Sequence, residues 1–244
     1  YSDRLLELPL ALFGIAIATV ILPALSADYA KSDEDRFAAK LDWAIRLVLL
    51  FGLPASIALV ILADVLIATI FYHGAMTQFD LVMAGLSLKA YAAGLTAHMM
   101  VKVLAPGFFA RQDMKTPVKI GIIALVTNMV FNLVLIGFLG HIGLALATSI
   151  SAFVNAFLLW RALSMSSIYR PGAQWLKFIV RIGLALVLMQ GLLLMIVPSL
   201  DQWLSYALED QILALFGLCA VGSTLYLITL WLLGLRVSDF RDQI

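Results

Sequence analysis

The sequence RLLELPLALFGIAIATVILPALS (residues 4–26) carries charge only at Arg4 and Glu7 and is otherwise almost wholly apolar. A run of roughly 20 apolar residues matches the ~30 Å hydrocarbon core of a bilayer when it is helical, whereas barrel strands would be about 10 residues long and alternating. The whole chain shares this character, because 63% of its 244 residues are hydrophobic and 13% are charged. That composition exceeds what one soluble core can enclose and predicts an all-α integral membrane protein.

The apolar runs predict seven membrane-spanning helices, here named segments A to G. They cover residues 5–25, 44–63, 79–104, 117–138, 142–160, 176–197 and 211–235. Apolar character continues over residues 64–72, but a charge at Asp64 makes a deep continuation unfavourable. Segment B is therefore predicted to end near Ala63, with a short helix in the membrane interface after it.

The connection between segments A and B has a pattern of its own. Ser32 and Asp35 resemble a capping box, and Phe37, Leu41 and Ile45 then recur every four residues. This predicts an amphipathic helix that lies on the cytoplasmic face and leads into segment B.

Three prolines fall inside the predicted helices: Pro9 and Pro23 in segment A, and Pro54 in segment B. Proline removes a helical hydrogen bond and clashes with the preceding turn, so each is expected to kink its helix. Kinked helices beside a cavity are common in transporters.

Basic residues lie beside alternate loops. Thirteen of the sixteen Lys and Arg residues flank the A–B, C–D and E–F loops or lie in the tail: Lys31, Arg36, Lys40, Arg46, Arg111, Lys115, Lys119, Arg161, Arg170, Lys177, Arg181, Arg236 and Arg241. The intervening loops, residues 73–78, 139–141 and 198–210, contain none. The positive-inside rule places the first set of loops and the C-terminus in the cytoplasm.

One stretch, residues 161–175, carries Ser, Pro and Gly and is typical of a linker. We therefore predict two parts: five helices within residues 1–163, then a linker and a terminal two-helix extension within residues 164–244.

Motifs of the common catalytic classes do not occur: the sequence contains no HExxH, no GxSxG and no Gly-rich phosphate loop. His73 and His141 fall in predicted outer loops, and His98 in segment C is predicted to be packed or bonded to its own helix. The lone Cys219 lies in an apolar run and predicts a packed thiol. A net charge of +1 gives no indication of nucleic-acid binding. The sequence therefore does not favour an enzyme.

Four charges at predicted membrane depth are the candidate substrate-binding groups: Arg4, Glu7, Lys89 and Lys102. Each is expected to face a cavity or a partner, because a charge at the centre of a spanning helix costs ~2.5 to 3.5 kcal/mol. Each also has a simpler explanation. Arg4 and Glu7, one turn apart, would pair at the outer interface, and Lys102 is near enough to the cytoplasmic end to snorkel. Lys89 lies deeper, which favours a cavity or a paired partner.

A second group of polar residues joins segments D and E: Asn128 and Asn132 share one helix face, and Thr148, Ser151 and Asn155 share another. Hydrogen bonds between the two helices explain such a seam. An oxygen-lined cation site is the alternative.

The stretch VKVLAPGFFARQDMKTPVKI (residues 101–120) closely resembles the signature of the MurJ/MviN family of lipid II flippases. Residues 4–26 resemble the family's helix with a cavity arginine, DWAIRLVLLFGLP (residues 42–54) also fits, and the resemblance covers essentially the whole chain. It implies a fourteen-helix transporter of the multidrug/oligosaccharidyl-lipid/polysaccharide exporter superfamily, with two six-helix lobes and a terminal pair. Seven helices match its C-terminal half: five of the second lobe plus the terminal pair. The missing N-terminal lobe would be a partner, and the fragment alone is expected to be inactive.

What the resemblance implies is transport of lipid II, the undecaprenyl-diphosphate-linked precursor of peptidoglycan, by alternating access. The precursor would move from the inner to the outer leaflet of the bacterial cytoplasmic (inner) membrane. Arg4 matches the family's cavity arginine and Glu7 its acidic neighbour. The planar donor fork of an arginine suits phosphate oxygens. Lys89 matches no family residue that we can name, so its candidate role depends on depth alone.

Some family members hold a sodium ion, and Asn128, Asn132, the Leu144 carbonyl and Thr148 fall at the matching positions. Here Asn132 replaces the family's aspartate, which removes a charge that would balance the cation, and the helix that supplies a further aspartate is absent. The resemblance thus implies no organic cofactor, with sodium or the membrane potential as the coupling force. Membrane lipids are the remaining expected partners.

Two alternatives remain open at this point. One is another exporter of the same superfamily, for drugs or lipid-linked oligosaccharides. The other is a membrane-embedded polyprenol-phosphate enzyme, which would need a carboxylate or His in a polar loop beside the cations. The loops here offer no such cluster.

Overall fold

The computed structural model describes residues 2–72, 76–166, 169, 172 and 174–236, with side chains from Arg4 onward, and all regular structure in these ranges is helical. The elements are α1 (Ser2–Pro9), a π-helical segment (Leu10–Ile15), α2 (Ala16–Ala30), α3 (Glu34–Phe71), α4 (Gln78–Ala93), α5 (Leu95–Phe109), α6 (Lys115–Leu139), α7 (His141–Met165), α8 (Gln174–Ile196), α9 (Leu200–Leu204) and α10 (Leu208–Leu232). Seven helical stretches in the described part of the chain are long and apolar enough to cross a membrane. The predicted fold class and number of spans are thus confirmed.

The longest helix, α3, corrects two predictions. Its 38 residues run without interruption from Glu34 to Phe71, so segment B does not end near Ala63 and no separate interfacial helix follows it. The expected amphipathic surface helix is likewise the first part of α3, because Phe37 and Ile45 are buried in the protein core. At about 57 Å, α3 is longer than the hydrocarbon core is thick, so several turns extend beyond it.

The start of α3 is capped by Asp33 and not by the predicted Ser32–Asp35 box. The Asp33 Oδ1 atom accepts a hydrogen bond from the backbone N–H of Arg36 at 3.1 Å. Ser32 adopts a left-handed conformation with φ of 57°, which closes the turn from α2. The cap therefore lies one residue later than predicted, and a carboxylate satisfies an orphan backbone donor of the first turn.

Segment C, predicted as one helix, is divided into α4 and α5 at Gly94. Ser149 of α7 packs into this break and donates a hydrogen bond from Oγ to the Ala90 carbonyl at 2.6 Å. A Cβ atom at Gly94 would lie 2.7 Å from the Ser149 Cα atom, so a larger residue would force the helices apart. Glycine is needed here because two backbones approach closely.

Segment A is also divided. Pro9 ends α1, and the six-residue π-helical segment follows it before α2 begins. By contrast, Pro23 and Pro54 lie inside α2 and α3, which continue through them.

The helices pack around α3, which contacts α2, α4, α5, α8 and α10. Large buried side chains at its surface, among them Leu41, Leu62 and Ile67, form the centre of the core. α6 packs chiefly against α7 and exposes much of its apolar surface. The fold therefore presents α1 at one edge of the bundle and α6 at another.

The terminal pair, α8 and α10, is fastened to α3 by polar contacts. Asp42 Oδ1 accepts hydrogen bonds from the Tyr169 hydroxyl at 2.7 Å and the Trp175 indole N–H at 2.5 Å. Arg46 pairs with the other carboxylate oxygen at 2.6 Å and lies over the Trp175 ring. The Tyr226 hydroxyl of α10 donates to the Leu50 carbonyl at 2.9 Å.

Three residues used in the sequence predictions, His73, Arg170 and Arg241, lie outside the described residues. The division of the chain at residues 163 and 164 stays a prediction, although α7 itself ends two residues later, at Met165.

Candidate functional site

Arg4 and Glu7 project from α1, the short helix at the edge of the bundle, and both are exposed. Leu6 between them is 95% buried, so α1 has one face in the core and one face open. Among the described side chains no ion pair joins Arg4 to Glu7, so the interfacial pair considered above does not form in this structure. The guanidinium is presented outward on a candidate membrane-spanning stretch.

Lys89 has a paired partner, which is one of the two predicted possibilities, and that partner is Asp64 of α3. Its Nζ atom lies 2.6 Å from Asp64 Oδ2, and the two side chains are about one-third exposed. Gly85, one turn before Lys89 on α4, leaves room for the Asp64 carboxylate, which would collide with any Cβ at that position. This pair explains why α3 continues past Asp64, because a neutralised charge is far less costly at depth than a lone one. An anion that binds Lys89 must compete with Asp64.

The other two predicted polar residues of segment C lie on α5. Lys102 is exposed at the middle of α5, seven residues before the helix ends at Phe109. The His98 Nδ1 atom lies 2.9 Å from the Gly94 carbonyl one turn earlier, so this histidine bonds to its own helix as predicted.

The structure joins the four predicted sodium-site residues in one hydrogen-bonded chain between α6 and α7. The Asn132 side-chain amide donates to Asn128 Oδ1 at 2.9 Å, and the Asn128 amide donates to the Thr148 hydroxyl at 3.4 Å. Thr148 in turn donates to the Leu144 carbonyl at 2.9 Å. The Asn132 Oδ1 atom is buried and has no hydrogen-bond partner among the described residues. These contacts are those of an interhelical seam, and a sodium site there stays a prediction.

Acidic and sulfur ligands are not gathered elsewhere in the part of the chain that the structure describes. No group of three or more His, Cys, Asp or Glu residues in that part could hold a metal ion.

Two apolar grooves open beside the terminal pair. The larger, of about 720 Å³, lies between α3, α5, α7 and α8 and is lined by residues such as Leu49, Ile57, Met100 and Phe157. The smaller, of about 310 Å³, lies between the π segment, α3, α8 and α10, where Phe13, Phe51, Leu193 and Tyr226 meet. Both suit hydrocarbon and not phosphate, because apolar linings cannot replace the hydration of an anion.

Sequence reasoning missed the contacts of Asp42 and Asp64 for a common reason. Each carboxylate accepts a hydrogen bond from a residue on another helix or in the linker, at sequence separations of 25 to 133 residues. The available signal was the presence of opposite charges, Asp64 and Lys89, at matching depth in successive antiparallel spans.

Comparison with known proteins identifies relatives of this chain. The family model described as "Lipid II flippase MurJ" matches residues 1–210. A "Probable lipid II flippase MurJ" of Vibrio cholerae is 46% identical over 241 residues, which is 99% of this chain and 46% of the relative. The "Lipid II flippase MurJ" of Burkholderia cenocepacia is 36% identical over 244 residues, or 100% of this chain and 47% of that protein.

A solved structure has the same fold. The chain called "Lipid II flippase MurJ, inward closed conformation" superposes with a TM-score of 0.75 at 26% identity, over 94% of this chain and 45% of that one. The chain thus spans about half the length of the curated relatives it matches. The family-model match over residues 1–210 and the 46% identity to the Vibrio cholerae relative over 99% of this chain show that it belongs to the MurJ family of lipid II flippases.

Proposed function

We propose that this chain is the C-terminal half of a transporter, and not of an enzyme, that moves lipid II from the inner to the outer leaflet of the bacterial cytoplasmic membrane. Family membership supports the substrate. The observation that carries the proposal is the exposed Arg4 guanidinium on a candidate membrane-spanning stretch, held outward by the burial of Leu6. A cation so placed has a use when an anionic headgroup must cross the membrane.

Arg4 would bind the diphosphate. Its planar fork of N–H donors matches two phosphate oxygens at once, and the attraction is stronger where water is scarce. Glu7, one turn away, would orient the guanidinium or repel a misplaced phosphate. Lys89 and Lys102 would make secondary contacts, the first in competition with Asp64.

The polyprenyl chain would stay among hydrocarbon while the headgroup crosses. The groove lined by Phe13, Phe51, Leu193 and Tyr226 lies between the π segment and the terminal pair, and so runs beside the helix that follows Arg4. An apolar groove next to a cationic site fits a ligand with a charged head and a long apolar tail.

Transport by alternating access needs a second lobe against which this one can rock. The relatives are about twice as long as this chain, which leaves room for such a lobe. The distribution of basic residues supports a cytoplasmic C-terminus. The driving force would be the membrane potential or a sodium gradient, with Asn128, Asn132, Leu144 and Thr148 as the candidate ion site.

Complementation of growth tests this proposal. A chimera would join the N-terminal half of the Vibrio cholerae relative to this chain and be expressed in a bacterium depleted of its own flippase. Growth should be supported by the unaltered chimera and abolished by Arg4→Ala at equal membrane abundance. Arg4→Lys should support growth poorly, because it keeps the charge and loses the fork.

Glu7→Ala is the matched comparison: it removes the neighbouring charge from the same helix face but keeps the guanidinium that would bind the diphosphate, so it should impair growth less than Arg4→Ala. A purely interfacial Arg4–Glu7 pair would be worth roughly 0 to 1 kcal/mol, and both alanine variants would then grow normally. Growth of Arg4→Ala at the level of the unaltered chimera would refute the proposed role of this residue.

A further inference from the structure

The π-helical segment Leu10–Ile15 separates two parts of one membrane-spanning stretch that pack against different neighbours. Upstream, α1 lies mainly against α4. Downstream, α2 packs against α3 and α5, where Ile17, Ile21 and Leu25 are buried. The stretch therefore changes its packing neighbours within six residues.

Local sequence explains why the change occurs here. Pro9 lacks a backbone N–H and its ring conflicts with the carbonyl one turn earlier, so the α-helical bonding pattern is already broken at this point. Gly14 is buried where the segment packs against α5, and Met99 is its neighbour there. Phe13 stacks on Phe51 of α3 with ring centroids 4.8 Å apart, which fixes the segment against the bundle.

A π turn holds one residue more than the α turn it replaces. If the same residues formed an uninterrupted α-helix, α1 would be turned by about 100°, or one residue position, relative to α2. Glu7 would then occupy the place that Leu6 now fills against α4, and a carboxylate would meet the core. The extra residue thus decides which side chains of α1 are buried.

We propose that this π segment is the positioning element of the candidate site: its one extra residue turns Arg4 and Glu7 to the open face of α1 and Leu6 to the core. The packing of α1 alone supports this orientation of Arg4, Glu7 and Leu6. Its consequence for transport rests on the function proposed above.

Two changes in the length of the π segment test whether its extra residue sets the orientation of α1. Leu12 is 60% exposed, so deleting it removes little packing. The deletion leaves five residues, enough for an α turn in place of the π turn, and should leave Arg4 and Glu7 facing as before. Insertion of one Ala after Leu12 should turn α1 by one position and bring Glu7 to the core. Leu12→Ala controls for loss of the side chain.

Thiol labelling measures directly which side chains of α1 are accessible to water. Single cysteines, Leu6→Cys or Glu7→Cys, would be placed in the chimera with Cys219→Ala and every other cysteine removed, and treated with a small water-soluble thiol reagent. In the unaltered, Leu12-deleted and Leu12→Ala proteins the cysteine at 7 should react and the one at 6 should be protected. In the Ala-insertion protein the cysteine at 7 should lose its reactivity and the one at 6 should gain it.

The labelling pattern tests whether the π segment positions α1, and growth tests whether Arg4 is used in transport. An insertion that leaves the labelling pattern unchanged, or a deletion that alters it, overturns the role of the π segment whatever the growth. In chimeras that keep Leu6 and Glu7, the Leu12 deletion should support growth and the Ala insertion should not. If labelling is exchanged as expected and the Ala insertion still supports growth, the positioning stands and the proposed use of Arg4 in transport fails.

Discussion

At the scale of single residues, the fate of a charge at membrane depth is decided by a partner on another helix. Asp64 was predicted to stop segment B because a lone carboxylate is costly in a bilayer. The structure places Lys89 Nζ 2.6 Å away, and α3 continues for seven more residues. The sequence shows both charges but not their distance, since the pairing depends on how α3 and α4 pack.

Removal of either partner of this pair should destabilise the protein more than removal of both. Asp64→Ala or Lys89→Ala leaves one half-buried charge alone, at a cost below the ~2.5 to 3.5 kcal/mol of a charge at a helix centre. The double variant leaves none. Thermal unfolding in detergent should give the double variant the higher midpoint, and a double variant less stable than both single variants would contradict the pairing.

The seam between α6 and α7 allows a second residue-scale test. The predicted residues are brought together by hydrogen bonds, but Asn132 supplies no negative charge for a cation. The thermal midpoint of the Asn132→Asp variant should therefore be higher in sodium than in potassium at equal ionic strength, because an ion that binds only the folded state stabilises it. If the Asp variant shows no larger sodium response than the unaltered protein, these residues do not form a sodium site.

At the scale of helices, the sequence predicts how many there are but not where they break. Each apolar run became a helix because backbone groups in a membrane must be bonded within the segment. The breaks have different origins: Ser149 of α7 enters the helix interruption at Gly94, and the π segment directly follows Pro9. The exposed face of α1, with Arg4 and Glu7, was likewise not predictable, because the sequence does not indicate the π segment between α1 and α2.

The attachment of α8 to α3 through Asp42 should depend on pH. Tyr169→Phe removes one hydrogen bond to a carboxylate, typically worth about 1.5 to 3 kcal/mol. Burial, together with the nearby Asp42 carboxylate, raises the pKa of Tyr169. The unfolded phenol, with a pKa of about 10, ionises first, so this stabilisation is complete below about pH 10 and is lost as pH rises further.

Thermal midpoints of the unaltered protein and Tyr169→Phe, measured at about pH 8 and about pH 10.5, check this directly, and the gap between them should narrow at the higher pH. A gap that stays constant or widens would show that the Tyr169 hydroxyl does not contribute as a buried donor. Tyr206→Phe is a suitable control, because the same substitution there leaves Asp42 untouched.

At the scale of the whole molecule, the alternation of basic and uncharged loops predicts the orientation in the membrane. With Cys219→Ala as background, a single cysteine at Gln78 or Gln202 should react with an impermeant thiol reagent added to intact cells. One at Ser32 should react only after the membrane is opened. The reverse pattern would invert the orientation and with it the proposed direction of transport.

The most direct test of the proposed function is the movement of lipid II itself. Purified chimera, the 244-residue chain alone and the Arg4→Ala chimera would be reconstituted in liposomes with lipid II in the inner leaflet, and its arrival outside would be measured with an enzyme that cleaves only exposed headgroups. The unaltered chimera should deliver lipid II to the outer leaflet, while the chain alone and the Arg4→Ala chimera should not exceed protein-free liposomes. Transport by the chain alone at the rate of the chimera would contradict the two-lobe mechanism, and equal transport by the Arg4→Ala chimera would contradict the role of the cationic site.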